Sequence, residues 1–139
     1  MILWIDDDIN GALNPFVDEL QENGYHVVNA RNPDDVWEHF IKSNIYGIIM
    51  DIMLPTGTGI SLEESKMGVL TGLLLLKKIK SNAKLSKIPI LIFTILSDQE
   101  LSTWAKDNNI TILKKQDTLP KELVEKIKAL CIKKDGHEK

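Results

Sequence analysis

Short unbroken apolar runs recur along this chain, and between them lie stretches in which apolar residues return at helical spacing. Five runs have the length of strands: residues 2–5, 25–28, 47–50, 90–94 and 111–113. Continuous rather than alternating apolar character marks strands buried on both faces, as in a parallel sheet between two helix layers. The intervening segments carry helix signals. Asn14-Pro15 reads as a cap and first position ahead of Phe16, Val17 and Leu20, with Gly24 as the stop. Asn32-Pro33 opens a second helix with Val36, Trp37 and Phe40 on one side, and Ser97 opens another with Leu101, Trp104 and Ala105 inward. Leu119, Leu123, Ile127 and Leu130 form the stripe of the last helix.

Strands alternating with helices predict an α/β fold: a doubly wound, five-stranded parallel sheet with helices on both faces. In such folds the binding crevice lies at the carboxyl ends of the strands, where the strand order reverses. Trp4, Trp37 and Trp104 fall on core positions of these elements, and Cys131 reads as a packing residue late in the last helix.

Composition narrows the picture. A chain of 139 residues, 43% hydrophobic and 27% charged, has room for one sizeable core. A formal charge of -3 supplies no basic field for nucleic acid, and no apolar run has the length of a membrane span. A single cysteine excludes an internal disulfide framework, and the first residues enter a strand without a signal-peptide pattern; both lead to a cytoplasmic expectation. His26, His39 and His137 are isolated and suggest no metal or triad role.

The chemistry gathers at the strand ends. The first run ends in Asp6, Asp7 and Asp8, and the third ends in Asp51. Carboxylates brought into one crevice raise each other's pKa, and such a cluster calls for a cation; an all-oxygen donor set suits Mg²⁺. The fourth run ends on Thr94, and the fifth leads into Lys114 and Lys115. A carboxylate nucleophile, an acid pair, a hydroxyl and an amine are the parts of a phosphoryl-transfer site. The alternative, that the aspartates only cap a helix and decorate a loop, weakens once all these strand ends are taken together.

Asp6-Asp7, Asp51-Ile-Met-Leu-Pro55, Thr94 and a lysine after the fifth strand resemble the receiver domains of two-component response regulators, over essentially the whole chain. The resemblance implies a flavodoxin-like strand order 2-1-3-4-5. It implies Asp51 as phosphoacceptor, and Asp6 and Asp7 with Asp51 and the Met53 backbone carbonyl as Mg²⁺ ligands. Thr94 would bind a phosphoryl oxygen, and Lys115, or alternatively Lys114, would be the active-site lysine. Such a protein is no conventional enzyme: it catalyses only its own phosphorylation and dephosphorylation. Its expected partners are a sensor histidine kinase or phosphotransfer protein, a downstream protein, and a second copy through helix four, strand five and helix five.

Five departures from that pattern stand out. Gln116 follows the lysine where the family has proline, and Ile112 (Thr111 under the Lys114 alignment) replaces the switch aromatic. Ile95 follows Thr94 where a small residue is usual, which predicts slow dephosphorylation. The stretch between Asp51 and Gly72, where the third helix starts, is roughly thirteen residues longer than expected. There Gly57 and Gly59 give a flexible start, and Ser61-Leu-Glu-Glu64 reads as a capping box opening an extra helical turn. Leu74, at a place usually polar, is either covered by this insertion or part of a partner surface. The expected organisation is a receiver over 1–132, with an extended loop at about 56–71, and a polar tail over 133–139.

Two rivals remain. The departures favour a pseudo-receiver that acts as an interaction module without phosphorylation. A phosphatase built on Asp6 would need a threonine that Asp6-Asp7-Asp8-Ile9-Asn10 lacks, and would leave Asp51 unused.

Overall fold

The computed structural model of the chain describes residues 1–8 and 11–135. Its elements run β1 (Ile2–Ile5), α1 (Asn14–Glu22), β2 (Val27–Ala30), α2 (Pro33–Lys42), β3 (Gly47–Met50), α3 (Thr71–Ser81), β4 (Ile90–Thr94), α4 (Gln99–Asp107), β5 (Thr111–Lys114), a 3-10 turn (Lys115–Asp117) and α5 (Pro120–Asp135). The five strands form one parallel sheet in the order β2-β1-β3-β4-β5, the order that the family resemblance implied.

Alternation along each strand sends side chains to opposite helix layers. Leu3, Ile5, Ile48, Met50, Ile90 and Ile92 join a core with Val36 of α2, Leu73 and Leu76 of α3 and Leu101 of α4. Ile2, Trp4, Ile49, Leu91 and Phe93 face the other way, against Leu20 of α1 and Leu123, Val124, Ile127 and Cys131 of α5. Trp4 and Phe16 both meet Phe93 edge-on, at centroid separations of 6.0 and 5.1 Å. β1, β3 and β4 are buried along their whole length, which is why they read as continuous apolar runs.

Several boundaries differ from the sequence reading. β2 lies two residues later than the apolar stretch 25–28, because pairing with β1 sets its register, Ile2 to Val27 and Ile5 to Ala30. The polar Asn29 is tolerated on this edge strand because its amide donates to the carbonyls of Trp4, Asp6 and Ala30. Asn14 is the first helical residue of α1 rather than its cap, a position taken by Leu13 with no side-chain cap bond. Asn32 does cap α2, accepting from the Asp35 N–H at 3.0 Å. α4 is capped by Asp98 rather than opened by Ser97; the carboxylate accepts from the Leu101 N–H.

The stripe of α5 is Leu123, Val124, Ile127 and Cys131; Leu119 precedes the helix and is exposed. Leu130 is partly buried against the same cluster. Trp4 is fully buried, but Trp37 and Trp104 only pack partly against the core. α5 runs through Asp135, into the stretch read as a polar tail, and His137 lies outside the described residues. Among the described residues no helix is long and apolar enough to cross a membrane.

Candidate phosphoryl-transfer site

β1 leads to β2 on one side of the sheet and then, through α2, to β3 on the other, so the strand order reverses between β1 and β3. Asp6 and Asp51 directly follow these two strands. Their backbones prolong the ladder: the Asp6 N–H donates to Ala30 O and the Asp51 N–H to Ile5 O, at 3.0 and 2.9 Å. The two carboxylates are therefore fixed side by side by sheet register.

Asp6, Asp7 and Asp51 each bring a carboxylate oxygen within 4.8 Å of the others, a group that could hold a metal ion. Asp6 is fully buried and Asp51 nearly so, while Asp7 is half-buried. Lys115 bridges the two buried acids, its Nζ donating to Asp6 Oδ2 at 2.8 Å and to Asp51 Oδ2 at 3.0 Å. Each acid also accepts one backbone bond, Asp6 Oδ1 from the Asp8 N–H and Asp51 Oδ1 from the Ile52 N–H. Burial pushes the Asp6 carboxyl above its ordinary range, more strongly than the hydrogen bonds from Lys115 and Asp8 pull it back. Burial draws the Lys115 ammonium down, but its bonds to Asp6 and Asp51 and their charges outweigh this and hold it above its usual value.

One lysine against three carboxylates leaves the crevice negative. The donors are all oxygen, with no imidazole or thiolate among them, and hard divalent ions such as Mg²⁺ prefer that set. The residues present therefore fit the ion implied by the sequence.

Of the two candidate lysines, it is Lys115 that meets the carboxylates. Lys114, one residue earlier, points the other way and donates to Leu96 O and Ser97 Oγ, tying the β4–α4 loop to β5. Thr94 is fully buried at the end of β4, and its hydroxyl accepts the Leu96 N–H at 3.2 Å. Ile95 beside it is 57% exposed. Met53 follows Asp51 by two residues with a partly exposed side chain. Ile112 packs partly against the core.

Gly72 explains how the long connection returns to the site. Its N–H donates to Ile52 O at 2.7 Å, and a Cβ there would stand 2.5 Å from Asp51 O. Before it, the capping box forms reciprocally: the Glu64 N–H donates to Ser61 Oγ at 3.0 Å, and the Ser61 N–H to Glu64 Oε1 at 3.2 Å. It opens a series of turns over 62–70 rather than an α-helical segment, because Lys66, Met67 and Gly68 adopt φ of 54°, 64° and 91° and break the helical path. Ile60 and Leu70 of this insertion are buried, and Leu74 packs partly against the same core, which favours the covered alternative for Leu74.

Three residues that hold the site's edge or the insertion went unremarked in the sequence. Arg31 Nη2 donates to the Asp7 carbonyl at 2.7 Å, and the shifted strand boundary hid that it follows a strand end. Asp34 accepts from the Thr58 N–H and hydroxyl, pinning the insertion to α2. Ser65 is fully buried, its hydroxyl accepting from Gly68 and donating to Leu62 O. No sequence signal distinguishes Asp34 from an ordinary acidic residue in a helix's first turn, or Ser65 from an ordinary loop residue.

No family model matches the sequence, and no curated protein matches it. Solved structures do. A CheY-like receiver domain protein from Methanospirillum hungatei is similar with a TM-score of 0.75 at 21% identity, over 98% of this chain and 96% of that one. The chemotaxis protein CheY4 of Vibrio cholerae is similar at 0.70 and 24% identity, over 93% and 96%. The receiver domain of NtrX from Brucella abortus is similar at 0.72 and 17% identity, over 94% and 98%. The chain thus has the receiver fold of response regulators, a likeness of fold that spans nearly its whole length.

Proposed function

We propose that this protein is a signalling receiver of the two-component type, which takes a phosphoryl group onto Asp51 and changes conformation in response. The observation that carries the reading is Lys115 Nζ held between Asp6 and Asp51 at the strand-order reversal. The same arrangement is found where phosphoryl groups are transferred: a fixed carboxylate nucleophile, a cation beside it, and further acids to hold a metal.

In this reading Asp6, Asp7, Asp51 and the Met53 carbonyl hold Mg²⁺, with Lys115 completing the charge balance. The bound ion supplies neutralisation of the charge on the transferred oxygens. A carboxylate oxygen of Asp51 attacks the phosphorus of a phosphohistidine or small acyl phosphate; the new P–O bond forms as the bond to the donor breaks, and the electron pair leaves with the imidazole or acetate. A carboxylate nucleophile has no proton to give up and so needs no base, and burial and the Ile52 N–H hold Asp51 oriented for the attack. Thr94 uses its hydroxyl oxygen to accept from Leu96, which leaves its proton to donate to a phosphoryl oxygen.

Drawing Thr94 inward pulls on the Leu96–Ser97 loop that Lys114 ties to β5, so the modification biases α4 and β5. Downstream control runs through a protein partner rather than nucleic acid, consistent with the net charge of -3. The donor is a histidine kinase or phosphotransfer protein, and a homodimer through α4, β5 and α5 belongs to the same reading. Borohydride trapping after incubation with phosphoramidate and Mg²⁺ tests the residue assignment. Peptide mapping is expected to find Asp51 reduced to homoserine; reduction at another aspartate contradicts it.

A further inference from the structure

Arg31 has no step in the transfer chemistry proposed above, yet it is fastened to the site. Ile5 pairs with Ala30 across β1 and β2, so Arg31 stands level with Asp6 at the carboxyl end of the sheet. Its backbone is held where the chain leaves β2: the N–H donates to Asp35 Oδ2 at 3.4 Å, and Asp35 is fixed in turn by the Asn32 cap of α2. From this base the side chain crosses to the end of β1, where Nη2 donates to Asp7 O at 2.7 Å.

That carbonyl belongs to the peptide joining Asp7 to Asp8, and the N–H of the same peptide donates to Asp6 Oδ1 at 2.8 Å. In a trans peptide the C=O and the N–H point in opposite directions. One plane is therefore gripped from both sides, by a buried carboxylate within the site and by a guanidinium at its rim. Its orientation helps to set the Asp6 carboxylate through the hydrogen bond, and it sets the course of the chain from which the Asp7 side chain leaves. Asp6 and Asp51 have further holds, since both accept from Lys115 and Asp51 also accepts from the Ile52 N–H. Among the described residues the Asp7 carboxylate has no hydrogen-bond partner, so its placement rests on this backbone.

A guanidinium stays charged throughout the range in which proteins fold, and its bond to a carbonyl is charge-assisted. Drawing on the carbonyl also polarises the peptide and strengthens the N–H bond on its far side. We infer that Arg31 is a positioning residue for the metal site: it holds the Asp7–Asp8 peptide in the orientation that brings the Asp6 and Asp7 carboxylates within 4.8 Å of each other and of Asp51. The inference rests on the reading of these acids as Mg²⁺ ligands.

Charge and positioning act in opposite directions, so the sign of the effect separates them. A cation at the rim repels Mg²⁺, and if charge were all that Arg31 contributed, its removal would tighten binding of the ion. Loss of a clamp loosens it.

The test is a Mg²⁺ titration of the whole chain without any phosphodonor, followed by the backbone amide shifts of Asp7, Asp8 and Ile52. Arg31→Ala is expected to weaken Mg²⁺ about tenfold, and Arg31→Lys, which keeps a charged donor of similar reach, to recover most of the loss. Arg31 is exposed, so the fold should survive both changes. Amide exchange in the metal-free proteins gives a second readout: the Asp8 N–H is expected to exchange faster in Arg31→Ala, while the amides of β1 and β3 keep the parent's rates. Unchanged or tighter Mg²⁺ binding in Arg31→Ala, or no recovery in Arg31→Lys, overturns the inference and leaves the metal site standing. Faster exchange throughout the sheet overturns it too, by making Arg31 a general support of the fold. If the parent itself binds no Mg²⁺, the metal site and the role of Arg31 fall together.

Discussion

Gly72 is packed so closely on Asp51 that a single added carbon would stand 2.5 Å from the Asp51 carbonyl and 2.6 Å from Ile52 Cα. Both contacts are with backbone at a strand end, where neither side can give way cheaply. The start of α3 and the candidate phosphoacceptor are therefore one rigid unit. Gly72→Ala is expected to destabilise the fold by about 1–3 kcal/mol, as overpacking does. Denaturant unfolding checks this, and weaker Mg²⁺ binding should accompany it because Asp51 is displaced.

Asp6 carries a second expectation. Burial raises its folded-state pKa above the ordinary 3.8, so its ionised form costs stability. Its favourable contribution is full below the unfolded pKa and is lost as pH rises through the raised value. Stability of the metal-free parent should therefore fall as pH rises through the raised Asp6 value, and Asp6→Asn should remove that part of the pH dependence, as melting temperatures across the acid range would read. Mg²⁺ should raise the melting temperature of the parent more than that of Asp6→Asn. Lys115, whose pKa is also raised, adds stability that is full below 10.5 and disappears above it as the ammonium deprotonates.

The fold was largely legible in the sequence because its central strands are buried on both faces and have one reading as apolar runs. The edge strand β2 was misplaced for the opposite reason: only Ala30 within it is buried, and its register comes from β1, which no local pattern records. The candidate site residues at the ends of β1, β3 and β4 were visible as polar residues that end apolar runs. The choice between Lys114 and Lys115 was not, since they are neighbours at the end of β5 and only the backbone turn that begins at Lys115 sends one side chain inward. The capping box was legible as a local motif, whereas the left-handed bend at Lys66 and Met67 that keeps the turn after it from extending into a helix was not.

The insertion should behave as a pinned flap. Thr58 donates to Asp34 through both backbone and hydroxyl, and only the hydroxyl bond can be removed by Thr58→Val. The Lys66–Glu100 pair, more than half exposed on the lysine side, is worth at most about 1 kcal/mol and will not hold the flap by itself. Limited trypsin digestion should cut after Lys66 several times faster in Thr58→Val than in the parent. Equal rates would mean that buried Ile60 and Leu70 alone hold the flap.

Ile95 stands beside the buried Thr94 and is itself exposed at the edge of the site. In the proposed reading, a bulky side chain there would restrict the approach of water or a partner to a phosphoryl group on Asp51. Ile95→Ala is expected to lose phosphate several-fold faster, corresponding to a barrier change of roughly 1 kcal/mol. Following the decay of intact phosphoprotein mass measures it, and an unchanged rate would remove Ile95 from the account.

The most direct test of the central claim is the intact mass of the protein after incubation with Mg²⁺ and phosphoramidate or acetyl phosphate, beside Asp51→Asn and a chelator control. The account predicts one phosphoryl increment, absent from both controls. No increment with either donor, or an increment retained in Asp51→Asn, would contradict it.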